Sequence, residues 1–264
     1  MKKAFTITEL LVAIGLLMAV LGASTTIFHY AIEAQRIAMA TSEIMHSLRA
    51  ITDQLNANFA GLRKDGYLVL GSTSDANDAV YFFSTGDFIS WKDSDVRSNI
   101  ARIYFGPAKI DPNNLLLDIK LLTPGKSGGL DYNDANFAAC QADIITNYED
   151  YNSVLSADRP DVNLAVRPND ARMLLAQNVG SMQIAWAYDR EVGDPNQTIV
   201  WYGRSKPVPG NQSFETEGDP YLAVWTPRNQ TDWPMALKFT FTLYDSKGIL
   251  KTGRRFEHIV YIGR

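Results

Sequence analysis

The chain of 264 residues has one cysteine, Cys140, and three histidines, His29, His46 and His258. A lone thiol makes no internal disulfide, so no disulfide framework organises the fold. A catalytic thiol–imidazole pair would need His258, because His29 and His46 fall in the helical N-terminal region. The ordinary reading of Cys140 is a small buried side chain. Positive charge is also in short supply: 25 Lys and Arg stand against 29 Asp and Glu, a net charge of −4. Nucleic-acid binding wants a basic patch or stripe, so no such partner is expected. The sequence contains no H-E-x-x-H, P-loop, G-x-S-x-G or C-x-x-C pattern, and no enzymatic activity is expected. Proline is absent before Pro107, and no charged residue falls between Leu10 and Phe28. The first absence permits a long unbroken helix, the second a membrane span.

What is present at the N-terminus is a basic pair, Lys2 and Lys3, then "AFTITELLVAIGLLMAVLGASTTIF". The apolar run from Leu10 to Phe28 covers about 28 Å at ~1.5 Å per residue, close to the ~30 Å of bilayer hydrocarbon. Three readings compete: a cleaved secretory signal, an uncleaved anchor, and a short leader followed by an anchor that stays on the mature protein. "LGAS" at 21–24 offers a small-residue cleavage site, yet the helical pattern runs through it without a break. Lys2 and Lys3 favour a cytoplasmic N-terminus. Glu9 stands at the threshold of the span. A carboxylate costs about 2.5–3.5 kcal/mol at the centre of a span, less near its edge, and such residues usually have a partner.

Beyond Tyr30 the pattern stays helical but becomes one-sided. Ile32, Ile37, Ile44, Leu48, Ile51, Leu55, Phe59 and Leu62 draw a stripe whose later steps are three or four residues. One helix is expected from Thr6 to Arg63, apolar all round in its first half and amphipathic in its second, with Gly15 and Gly22 as positions of close helix approach or kinking. After Gly66 the sequence predicts short strands at 67–70, 80–84, 100–105, 115–122, 181–188, 198–202, 221–225, 237–244 and 258–262. "LKFTFTLYD" alternates most clearly. "DSKG" turns the chain, and "RRFEHIVYI" returns beside it as a closing hairpin. The stretch 124–168 is rich in Gly, Asn and Asp and reads as an insertion, and 204–220 as a Pro/Gly loop.

Two features carry other chemistry. Asp131, Asn133 and Asp134 in "DYNDAN" are hard oxygen ligands of the kind calcium takes, without the glycine and distal glutamate of an EF-hand. Their ordinary reading is a solvated loop with Asx-turns, and no cofactor is otherwise expected. Trp186, Tyr188, Trp201, Tyr202, Tyr221, Trp225 and Trp233 are expected mostly to fill the space between sheet and helix. A row of them left exposed would form a carbohydrate- or protein-binding face.

"AFTITELLVAIGLLMAVL" closely resembles the N-terminus of type IV prepilins and type II secretion pseudopilins. The resemblance implies that residues 1–4 are a leader cut between Ala4 and Phe5, and that Phe5 is methylated on its new amine. Glu9 is then the retained acid four residues on. Ala4 departs from the glycine usual before the cut. "LLAQNVGSMQIAWAYD" and "DWPMALKFTFTLYD" show a looser similarity to minor pseudopilins of the J class and minor pilins of the W class. The family implies an α+β, pilin-like fold: a membrane and filament-core helix half at 5–30, an amphipathic half at 31–66, and a β-rich extracytoplasmic domain at 67–264 packed on the helix. It implies as partners the prepilin peptidase, other major and minor pilins or pseudopilins, and the inner membrane before assembly. Some pseudopilins hold calcium in a loop. In such a filament Glu9 would pair with the amine of Phe5 in a low-dielectric core, where the pair has leverage over subunit register. The alternative is a membrane-anchored extracytoplasmic binding or hydrolytic domain whose anchor resembles a prepilin by chance.

Overall fold

The computed structural model describes residues 6–74, 77–89, 97–121, 160, 162, 171–188, 199–203, 222–225 and 233–262. Within them the fold is α+β, with one long helix and nine strands. Helix α1 runs from Ile7 to Ala60 without interruption. It is about 81 Å long at ~1.5 Å per residue. It starts where Thr6 leaves the helical conformation and caps the first turn, and it stops at Gly61. No proline intervenes, and the hydroxyls of Thr25 and Thr26 donate to the carbonyls of Leu21 and Gly22 one turn back. These two hydroxyls of the apolar half are thereby satisfied inside the helix itself.

The strands are β1 (Leu68–Ser74), β2 (Asn77–Ile89), β3 (Arg97–Pro107), β4 (Leu115–Leu121), β5 (Leu174–Ala176), β6 (Val179–Ala187), β7 (Leu222–Trp225), β8 (Ala236–Leu243) and β9 (Arg254–Tyr261). They form a curled mixed sheet in the order β5-β4-β3-β2-β6-β8-β9, with β1 on β2 and β7 on β1. All ladders are antiparallel except that between β2 and β6, which meet in parallel at the Asn77–Met182 pair. At this narrow junction side chains substitute for a ladder. Asn77 Oδ1 accepts the N–H of Met182 at 2.9 Å, and Asp78 Oδ2 accepts that of Ile184 at 2.7 Å. Both side chains are buried, where an unmet backbone donor would cost about 1–3 kcal/mol.

The core lies where the second half of α1 meets the sheet. Ile44, Ile51, Leu55 and Phe59 are buried with Phe82, Ile103, Phe105, Phe239 and Phe241. Phe59 stacks on Phe82 with ring centroids 4.1 Å apart and meets the edge of Phe239 at 5.7 Å. Phe239 and Phe241, two residues apart on β8, share the inward face and both approach Phe105. Trp186, Trp225 and Trp233 are core residues too, and the first two meet edge to face at 5.6 Å. Burying each such side chain contributes about 1.5–3 kcal/mol.

The helix end is built into the sheet by strand β2. Ser84 Oγ donates to the carbonyl of Asn58, and both the N–H and the hydroxyl of Thr85 donate to that of Gly61. These bonds meet carbonyls that a helix C-terminus leaves without partners. The approach is close enough that a Cβ on Gly61 would stand 2.1 Å from the Thr85 carbonyl oxygen. At the far end of the sheet the hairpin β8–β9 turns through Tyr244–Gly253. Buried Asp245 accepts the N–H groups of Ile249 and Leu250 at 2.7 and 3.0 Å. Desolvation pushes its carboxyl up, but the backbone donors outweigh that effect and hold it below the ordinary carboxylate value.

Some expectations shift in detail. Residues 199–202 of the strand expected at 198–202 form only an isolated bridge from Tyr202 to Trp186, too short for a strand of its own. The packed stripe begins at Ala40, while Ile32 and Ile37 are exposed. The helix also ends at Ala60 rather than Arg63. Gly61→Ala is expected to destabilise the folded part by about 1–3 kcal/mol through overpacking. Gly22→Ala, where nothing lies within 4 Å of the added carbon, is expected to leave the urea midpoint unchanged. Equal midpoints for the two variants would contradict the docked helix end.

Candidate functional site

The feature that sets this molecule apart is the N-terminal part of α1. Every residue from Thr6 to Met39 is exposed, including Leu10, Leu11, Leu16, Leu17, Leu21 and Phe28. The helix is long and apolar enough to cross a membrane. A soluble monomer rarely exposes contiguous apolar patches larger than a few hundred Å², so this surface calls for lipid or protein around it. From Ala40 onward the same helix is held by the sheet. The junction is fixed by polar contacts as well as packing. Glu43 Oε1 accepts the N–H of Ser246, Arg254 donates to the Thr41 hydroxyl, and the His258 Nε2–H donates to Asn56 Oδ1 at 2.9 Å. All three tie α1 to the closing hairpin.

At the helix entrance Glu9 forms a capping box with Thr6. Thr6 N–H and Oγ1–H both donate to Glu9 Oε2, at 3.0 and 2.9 Å, and the Glu9 N–H donates to Thr6 Oγ1 at 3.3 Å. This arrangement satisfies donors that the first turn would otherwise leave without a partner. The sequence signal is the T-x-x-E spacing of "TITE", a capping-box pattern ahead of an apolar run. It supplies a local role for Glu9 that the pairing with a terminal amine left out. A carboxylate has about four acceptor positions, so the box does not exhaust it.

The other residues named from sequence divide as follows. Ala4, Phe5, Asp131, Asn133, Asp134 and Cys140 lie outside the described residues, as does most of the 124–168 stretch. Among the described residues no group of three or more His, Cys, Asp or Glu side chains is placed to hold a metal ion. His29 and His46 are exposed on α1, and His258 is half-buried on β9. Of the aromatics, Trp186, Trp225 and Trp233 are buried in the core, whereas Trp201 stays half-exposed beside β6 and β8. Comparison with family models, with curated proteins and with solved structures finds no match to this chain.

Burial holds the His258 imidazole below its ordinary value. The folded state therefore binds a proton less readily than the unfolded chain. Its contribution is full above the ordinary value near 6.5 and is lost as the pH falls from there toward the lowered folded value. The unfolding midpoint of the chain is expected to drop over that window, and His258→Gln is expected to flatten this part of the profile. An unchanged profile in the variant would remove His258 from the helix–hairpin junction's pH response.

Proposed function

We propose that the chain is a structural, minor pilin-like subunit, a pseudopilin of a type II secretion or type IV pilus-like envelope machine. The observation that carries the reading is the two-part helix. A capped apolar half projects from the fold with no other described residue packed on it, and an amphipathic half anchors that rod to a β-rich domain. A rod of this kind serves two surroundings in turn, a bilayer before assembly and the packed helices of a filament after it. The prepilin-like segment, Lys2 to Glu9 followed by the apolar run, adds the processing step. The prepilin peptidase would cut between Ala4 and Phe5 and methylate Phe5, and the neighbours would be other major and minor pilins or pseudopilins. The domain after Gly66 would stand outside the inner membrane, and in a filament at its outer surface. In that setting the curled sheet on a long N-terminal helix is a pilin-like fold.

One observation favours a second reading. Because the capping box accounts locally for Glu9, the helix would also serve as a plain anchor tethering an extracytoplasmic binding domain.

Comparing the wild type with Glu9→Gln and Glu9→Ala separates the two. Glutamine keeps the capping-box geometry but carries no charge; alanine removes both. All three proteins are expected to insert in the membrane. Incorporation into sheared filaments or cross-linked assemblies is expected to fall in both variants, because the charge pair with the Phe5 amine is lost in each. Assembly of the Gln variant at the wild-type level would reduce Glu9 to a helix cap, whereas absence of the wild-type chain itself from such assemblies would favour the plain anchor.

A further inference from the structure

The face of β6, β8 and β9 turned away from α1 carries a polar cleft of about 220 Å³. Gln183 from β6, Lys238 and Thr240 from β8 and Arg255 from β9 line it, all from the face opposite the buried Ile184, Phe239 and Phe241. One wall is the extended segment 199–203, which pairs with β6 through both backbone hydrogen bonds between Trp186 and Tyr202. Gly203 allows that close approach, since a Cβ there would meet the Ile184 carbonyl oxygen at 3.2 Å. Pairing turns Tyr202 toward the core and leaves the Trp201 ring at the cleft, with Lys238 Nζ 4.9 Å from its centroid. The floor is Asp78, fully buried, with its Oδ2 held by the Ile184 N–H.

We propose that this cleft binds an acidic saccharide, a pyranose ring bearing a carboxylate such as a hexuronic acid residue. The space is smaller than the ~300–1,000 Å³ pockets that take drug-sized ligands, so it suits one ring of a chain rather than an extended molecule. Its chemistry is of three kinds at once. The indole offers a flat apolar surface to the C–H face of a sugar once Lys238, whose Nζ stands over the ring, swings to the carboxylate. Gln183 and Thr240 offer an amide and a hydroxyl to sugar hydroxyls. Lys238 and Arg255 bring two cations to the lining of the cleft, where either can meet a carboxylate. Among the described residues Arg255 is otherwise engaged only by an exposed contact with Glu257 at 3.7 Å, a kind of pair that holds a side chain weakly. An acidic peptide would use the cations but brings no flat C–H face to Trp201, and a neutral sugar would leave Lys238 with only the indole and Arg255 with only the exposed Glu257 contact. The cleft does not involve the N-terminal helix, and the inference stands apart from the assembly reading.

The test is titration of the full chain in detergent or nanodiscs with three probes, followed by saturation-transfer NMR or calorimetry. The probes are a hexuronic acid trimer, the same trimer with its carboxyls reduced to alcohols, and a glutamate-rich peptide. The uronate trimer is expected to bind about tenfold more tightly than its reduced form, the scale of a lost charged hydrogen bond. Trp201→Ala is expected to weaken it by about tenfold or more, with Trp201→Phe retaining most of the affinity because an aromatic face remains. Lys238→Met combined with Arg255→Met is expected to abolish the preference for the uronate. Unfolding midpoints of the variants are measured alongside, so that loss of binding is separated from loss of fold. Tighter binding of the peptide, equal binding of the reduced trimer, or uronate binding unchanged by Trp201→Ala would each overturn the assignment, as would no uptake of the uronate at all.

Discussion

The structure depends on the docking of the last turns of α1, Ile51 to Phe59, against β2 and β8. Stacking of Phe59 on Phe82 and the capping of the Asn58 and Gly61 carbonyls by Ser84 and Thr85 fix both the position and the end of the helix. Apolar burial supplies the larger share of the free energy, because each buried aromatic or aliphatic side chain contributes about 1.5–3 kcal/mol. A typical hydrogen bond contributes about 0.5–1.5 kcal/mol net. The polar contacts do something packing alone does not: they stop the helix at Gly61 and set its register on the strand. Once that end is fixed, a single uninterrupted helix carries the consequence along its length. The packed end determines where the unpacked, apolar end projects.

The two halves of α1 answer different solvents. Ala40 to Phe59 has one buried stripe and a polar remainder, as a helix on a sheet requires. The run from Leu10 to Phe28 is apolar on all sides, with its threonine hydroxyls bonded back into the helix. Both are properties of a helix that must survive without water. The capping box of Thr6 and Glu9 lies at the entrance to this segment, so the one acid there stabilises the helix start whatever surrounds it. An additional pairing with a terminal amine would add intermolecular register to a residue that already has a local task.

Much of the architecture was legible in the sequence because its signals were periodic. The alternation of "LKFTFTL" marked β8 to within one residue at each end, and the return strand, expected at 258–262, lies beside it as β9 from Arg254. The steps from Ile44 to Phe59 placed the buried helical face correctly. Ile32 and Ile37 fit the same apolar count yet have no sheet beneath them, since hydrophobic spacing records which residues avoid water and not what covers them. β5, only three residues long, carried too little pattern to stand out. The β2–β6 junction was invisible for a different reason. Asn77 and Asp78 fall just before the strand expected at 80–84, and nothing local says that their side chains meet backbone donors more than a hundred residues away. At the candidate site the reverse held: the "TITE" cap was local and readable, but the charge argument at Glu9 drew attention past it.

The proposed role of α1 as the processed assembly rod of a pilin-like subunit can be read most directly from the mass of the mature N-terminus. N-terminal peptide mass spectrometry of the protein isolated from membranes should show the chain beginning at Phe5 with a methylated amine. A chain still beginning at Met1, or one cut near Ala23 with the span removed, would contradict it.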